Sequence, residues 1–153
     1  MAKTDSKKAL AEKKAPAGKK TAAEPKRKAP GRLPKEVAGA VRAARDKKAM
    51  DVVVLDLRTA GGFTDYFVLC TGGNPRQIQA IADGVEDTLR TSFHERPALV
   101  EGVEKSEWIL LDYFNFVVHV FSRECRAFYG LERLWGSALR HEFDDDEKPS
   151  GAR

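Results

Sequence analysis

The chain has 153 residues and a formal net charge of +4, from 27 Lys plus Arg against 23 Asp plus Glu. Residues 1 to 30 hold ten of the bases and three of the acids, a balance of +7, so residues 31 to 153 carry 17 bases against 20 acids, or −3; a domain of that sign is not built to grip nucleic acid by charge. No apolar run approaches the roughly 20 residues of a membrane-spanning helix, and two cysteines without metal-ligand or framework spacing exclude a disulfide-stapled scaffold.

A cytoplasmic protein is expected from this pattern. An organellar location is the alternative, because the N-terminal stretch is poor in acids, although it is Lys-rich rather than Arg- and Ser-rich. Residues 1–32 are rich in Lys, Ala and Pro and read as a disordered basic tail. One domain is expected over 33–138, long enough to bury roughly two thirds of its unfolded surface, followed by an acidic C-terminal tail over 139–153.

In chain order, Pro34 opens a helix over about 34–48, with Val37, Ala40, Val41 and Ala44 at three- and four-residue spacing. DVVVLDL, Asp51 to Leu57, is a β-branched run of strand length, and DYFVLCT, Asp65 to Thr71, is a second. Gly72 and Gly73 turn the chain into a helix, with Asn74 as its N-cap and Pro75 at its first position. That helix runs to about Ser92 with Ile78, Ile81, Ala82, Val85 and Leu89 on one stripe. ALVEG reads as a short strand after Pro97, and EWILLD and FVVHVF as a hairpin through Tyr113 to Asn115. RECRAFYGLERLWG places Ala127, Phe128, Leu131, Leu134 and Trp135 at helical spacing and stops at Gly136. The order predicts an α/β (mixed α+β) fold, a mixed sheet of about five strands with flanking helices.

Candidate chemistry is sparse. CTGGNPRQ could cradle an anion at a helix N-terminus, but it lacks both the Lys-Ser/Thr of a P-loop and a GxGxxG spacing, and a tight strand-to-helix turn accounts for its glycines. A nucleotidyl-transfer site would need paired carboxylates for Mg²⁺, and Asp112 is followed by Tyr113, Phe114 and Asn115 instead. His94, His119 and His141 have no metal-ligand spacing, and Cys70 in an apolar strand reads as a packing group. No catalytic residue, metal ligand or cofactor is expected. The apolar hairpin leaves two readings open: burial on both faces, or an aromatic face kept for a partner.

DVVVLDL, TDYFVLCTGGNPRQIQAIAD, VEG, EWILLDYFNFVVHVF and RAFYGLERLWG, in this order and spacing, resemble the ribosomal silencing factor (Iojap-related) family over about residues 34–136. The resemblance implies a nucleotidyltransferase-like fold without catalytic carboxylates, and no enzyme activity. It also implies binding to the large ribosomal subunit through ribosomal protein fourteen, which sterically blocks joining of the small subunit and represses translation under nutrient limitation. Carried over, the partner surface centres on Trp108, with Asp112 and Tyr113 at the turn, and Val118, His119, Phe121, Arg126 and Tyr129 as further contacts. Trp108 is thereby expected at the surface, and its replacement by Ala is expected to spare the fold. Where the family commonly reads Asp-Tyr-Gly-Asp, this chain reads Asp112-Tyr113-Phe114-Asn115. Contact of the basic tail with ribosomal RNA and a homodimer are left open, and the alternative function is a nucleotide-binding enzyme using the Gly72-Gly73 turn.

Overall fold

A computed structural model describes residues 32–62 and 64–143; the basic tail expected over 1–32 lies almost wholly outside them, as do 144–153 of the acidic tail. Helix α1 (Lys35–Asp46) precedes strands β1 (Met50–Asp56) and β2 (Tyr66–Thr71), and the long helix α2 spans Pro75–Phe93. Strands β3 (Leu99–Glu101), β4 (Trp108–Asp112) and β5 (Phe116–Phe121) follow, then short helices α3 (Arg123–Tyr129) and α4 (Leu131–Leu134), and strand β6 (Leu139–Glu142).

The strands form one six-stranded mixed sheet in the order β3-β4-β5-β2-β1-β6. Its only parallel pair among the described residues is the central β2 and β5, and the other neighbours run antiparallel. All six residues of β2 and all six of β5 are buried, as strands need to be when both faces are covered. On one face α1 and α2 pack Val41, Ala44, Ile78, Ile81 and Leu89 against Val54, Val68, Ile109, Leu111, Val118 and Val120. On the other, Leu131, Trp135 and Ala138 cover Leu55, Phe67, Leu69, Leu110 and Phe121.

Four features depart from the sequence expectations. α1 ends at Asp46 rather than 48, because Lys48 takes φ 67° to turn the chain into β1. The expected strand ALVEG contracts to three residues at the sheet edge. The helix expected from 123 to 136 breaks at Gly130, whose φ of 52° ends α3 and starts α4 at a new angle. The segment expected to begin an acidic tail at 139 instead pairs with the outer edge of β1, from Asp56↔Leu139 to Val53↔Glu142. LRHE has no strand-like apolar content, but the buried MDVVVLD strand would otherwise present a bare edge.

Two predictions arise from this framework. A Cβ added at Gly72 would stand 2.7 Å from Ile78 Cγ1 and 3.2 Å from the Ile78 nitrogen, so β2 and α2 meet too closely there for any side chain. Gly72→Ala is expected to cost about 1–3 kcal/mol, measured by denaturant unfolding.

The second concerns the β1–β6 edge, where Arg58 forks onto buried Asp56 through Nε to Oδ1 (2.9 Å) and Nη2 to Oδ2 (2.7 Å). Burial pushes the Asp56 carboxyl up, but the hydrogen bonds and charge of Arg58 hold it below the usual carboxylate range. On β6, burial lowers the pKa of His141, with Asp56 opposing and Arg58 adding to the fall. Both folded values lie beneath the unfolded ones of about 3.9 and 6.5. The stability they contribute is therefore present above those unfolded values and lost as pH falls through the folded ones. Stability should drop from pH 7 to pH 5, and His141→Gln should flatten that part of the profile in urea titrations; an unchanged slope would locate the titration elsewhere.

Candidate functional site

The hairpin that the sequence left ambiguous is buried on both faces, and this corrects the expectation of an exposed Trp108. Trp108 is 1% exposed. Its Nε1–H donates to His119 Nδ1 at 3.1 Å, which makes Nδ1 an acceptor and so places the ring proton of a neutral His119 on Nε2. The indole lies 4.6 Å from the Tyr129 ring and 5.0 Å from Phe121, while His119 meets Phe67 edge-on at 4.5 Å. Alternation explains the grouping: Trp108, His119 and Phe121 project to the α3–α4 side, where that segment closes over them.

Tyr113 and Val118 lie in the opposite core, under α1 and α2, and Tyr113 stacks on Phe116 at 5.0 Å. Of the eight residues that the resemblance singles out, Trp108, Tyr113, Val118, His119 and Phe121 are therefore interior, and Asp112, Arg126 and Tyr129 are half-buried.

Asp112 has a local task. Its Oδ1 accepts the Phe114 N–H at 2.8 Å, which supports a backbone φ of 79° at Phe114, a conformation that favours glycine. The turn closes without a second carboxylate through Asn115 N–H to Tyr113 O and Asp65 N–H to Asn115 O, both 2.9 Å. The ring of Phe114 points away from the core and is 76% exposed.

Arg126 is held on three sides. Nη1 donates to the Asp51 carbonyl (2.6 Å) and Thr71 Oγ1 (2.9 Å), and Nε and Nη2 donate to the two Glu132 oxygens at 3.2 and 2.8 Å. Burial pushes the Glu132 carboxyl up, but Arg126 and then Arg140 outweigh it and hold Glu132 below the usual carboxylate range. This bidentate pair ties α3 to α4 across the Gly130 break.

The residue that sequence reasoning misplaced is Phe128. A continuous helix puts it on the buried stripe with Leu131 and Trp135; the break at Gly130 leaves it 74% exposed, edge-on to Tyr129 at 4.9 Å. Leu134 is also exposed. The glycine inside the helical pattern was the available signal, since Gly disfavours a helix interior by about 1 kcal/mol.

The Gly72-Gly73 turn is already filled by the chain itself. Gly73 N–H donates to Gln77 Oε1 (2.6 Å), Gln77 N–H to Asn74 Oδ1 (2.9 Å), and Gln77 Nε2 to the Lys47 and Lys48 carbonyls (3.1 Å each). The amides of Gly73 and Gln77 are thus committed to side chains rather than directed at a phosphate. Among the described residues no group of three or more His, Cys, Asp or Glu could hold a metal ion, and no helix is long and apolar enough to cross a membrane. Burial pushes the Cys70 thiol up to about 12 against the opposing charge of Arg126, so it is an unreactive packing group.

The family model described as "Ribosomal silencing factor during starvation" matches residues 30–153. The chain is 41% identical over 105 residues to the ribosomal silencing factor of Halalkalibacterium halodurans, covering 69% of this chain and 89% of that one. It is 35% identical over 106 residues to the chloroplastic protein Iojap of Zea mays, covering 69% of this chain and 45% of that protein. A crystal structure of a Chromobacterium violaceum protein superposes with a TM-score of 0.64 at 31% identity, covering 69% of this chain and 88% of that one.

Proposed function

Because this chain belongs to the ribosomal silencing factor family, we propose that it binds the large ribosomal subunit through ribosomal protein fourteen. Occupying that face would sterically block joining of the small subunit and repress translation under nutrient limitation. The observation that supports this reading is Phe128, a largely exposed ring on a segment seated over the Trp108 cluster and clamped by Arg126–Glu132. A rigidly supported aromatic loses little entropy on docking and is the kind of side chain that anchors an interface.

On this reading Phe128, Tyr129, Leu134 and the accessible part of Asp112 and Arg126 would meet the partner. Trp108, His119 and Phe121 would hold the Tyr129 side of that surface from beneath, and Tyr113 and Val118 would act through the opposite core. The fold would be nucleotidyltransferase-like with its metal-binding carboxylates missing. The +7 of residues 1–30 would add contacts to ribosomal RNA that weaken steeply with salt. A homodimer over the Phe128 surface would compete with the ribosome for it. A cytoplasmic location is proposed, with the organellar one as alternative.

The test is sedimentation of purified large and small subunits with and without the protein. Co-migration with the large subunit together with fewer joined particles is expected. Protein left at the top of the gradient with joining unchanged would refute the reading.

A further inference from the structure

A groove of about 620 Å³ lies between the C-terminal half of α2 and the β3 edge, lined by Asp83, Glu86, Asp87, Glu95, Pro97 and Val100 together with Arg90 and Arg96. Arg90 is engaged by Asp87, whereas Asp83, Glu86 and Glu95 make no ion pair among the described residues. Three carboxylates thus face one groove with a single uncommitted arginine to balance them.

A second observation points the same way. Tyr113 is 5% exposed, and its hydroxyl finds no hydrogen-bond partner among the described residues. Burial raises its pKa, and the next causes are the charges of Glu86 and Glu95, two linings of this groove. The same two carboxylates that line the groove thus act on a buried, unpartnered hydroxyl behind it, and a Lys-rich peptide supplies the ammonium donors that their charge calls for.

Position identifies the peptide. Gly39 near the start of α1 faces Phe93 at the end of α2, where an added Cβ would stand 2.6 Å from the ring, and Gly84 within α2 faces Lys47 just past the end of α1. The two helices are therefore antiparallel, and the chain enters α1 beside the C-terminal end of α2, whose last turns carry Arg90 and lead into Glu95; packed helix axes lie about 8–10 Å apart. Residues 1–31 attach at that point with a net charge of +7. At up to ~3.3 Å per residue they span the distance many times over.

We propose that the groove between α2 and β3 is a docking site for this chain's own basic N-terminal segment, held by Asp83, Glu86 and Glu95. Single exposed ion pairs are weak, but tethering supplies the segment at an effective concentration of about a millimolar, so several weak pairs suffice. The segment then masks the groove in the free protein, and RNA phosphates would draw it away by competing for the same lysines. The proposal does not depend on the ribosomal partner named above.

Zero-length carbodiimide cross-linking of the full chain, which joins a Lys amine to a carboxylate it touches, tests this with peptide mapping by mass spectrometry. Expected are links from lysines within residues 1–31 to Asp83, Glu86 or Glu95 in monomer-sized product, reduced about fivefold or more in ~0.5 M salt. Glu86→Gln should also weaken the links to Asp83 and Glu95, two carboxylates that stay available to the reagent; unchanged links there would count against a shared docking groove. Tail links spread over all surface acids without preference would overturn the proposal, and so would groove links confined to dimer-sized product, which would assign the groove to a second copy's tail.

Discussion

Trp108→Ala should lower the stability of this protein by about 3–5 kcal/mol, the range for removing a fully buried large aromatic. Three losses combine. The indole volume disappears from between Tyr129 and Phe121, His119 Nδ1 loses its 3.1 Å donor inside the core, and the α3–α4 cover loses the surface on which Tyr129 rests. For a domain whose whole stability is of order 5–15 kcal/mol, such a loss removes a large share of the margin. Trp108→Phe should recover most of the packing while leaving His119 without that bond, at a cost of about 1–3 kcal/mol. Urea unfolding of both variants is the measurement. If Trp108→Ala unfolds with the wild-type midpoint, the interior role is wrong, and a direct contact with a partner returns as the explanation of this residue.

Phe128→Glu should behave in the opposite way. Its ring is 74% exposed, so stability should stay within about 0.5 kcal/mol of wild type, while binding to the large subunit should fall tens of fold. Losing an anchor costs upwards of about 2 kcal/mol at an interface, and a carboxylate placed against an apolar pocket adds a desolvation penalty. Paired melting and large-subunit co-sedimentation separate the two effects. Normal binding by a folded Phe128→Glu protein would remove the α3–α4 surface from the proposed function and leave the family assignment standing.

These two substitutions mark where reading the chain succeeds and where it stops. The stripe Ile78, Ile81, Ala82, Val85 and Leu89, the Asn74 cap, and the β-branched and apolar runs of β1, β2, β4 and β5 are local patterns. Each states its own conformation through spacing and propensity, and all form as expected. The order of those motifs was likewise sufficient to reveal the family, because several separated segments agree along one line of sequence.

What the chain alone did not reveal is which faces are covered and by what. Trp108 and Phe128 are both large aromatics in apolar surroundings, and no local rule distinguishes them. Trp108 is interior because a segment about twenty residues later folds across the sheet, and Phe128 is exposed because Gly130 turns the helix before its stripe can continue. β6 shows the same dependence in a strand: LRHE carries no signal, and it pairs because the β1 edge stands open beside it. The sequence by itself determined the elements and the family, which rest on residues near one another in the chain. The tertiary structure decided burial, and with it which aromatic ring can meet a partner, because burial is a property of contacts between segments that the chain brings together only on folding.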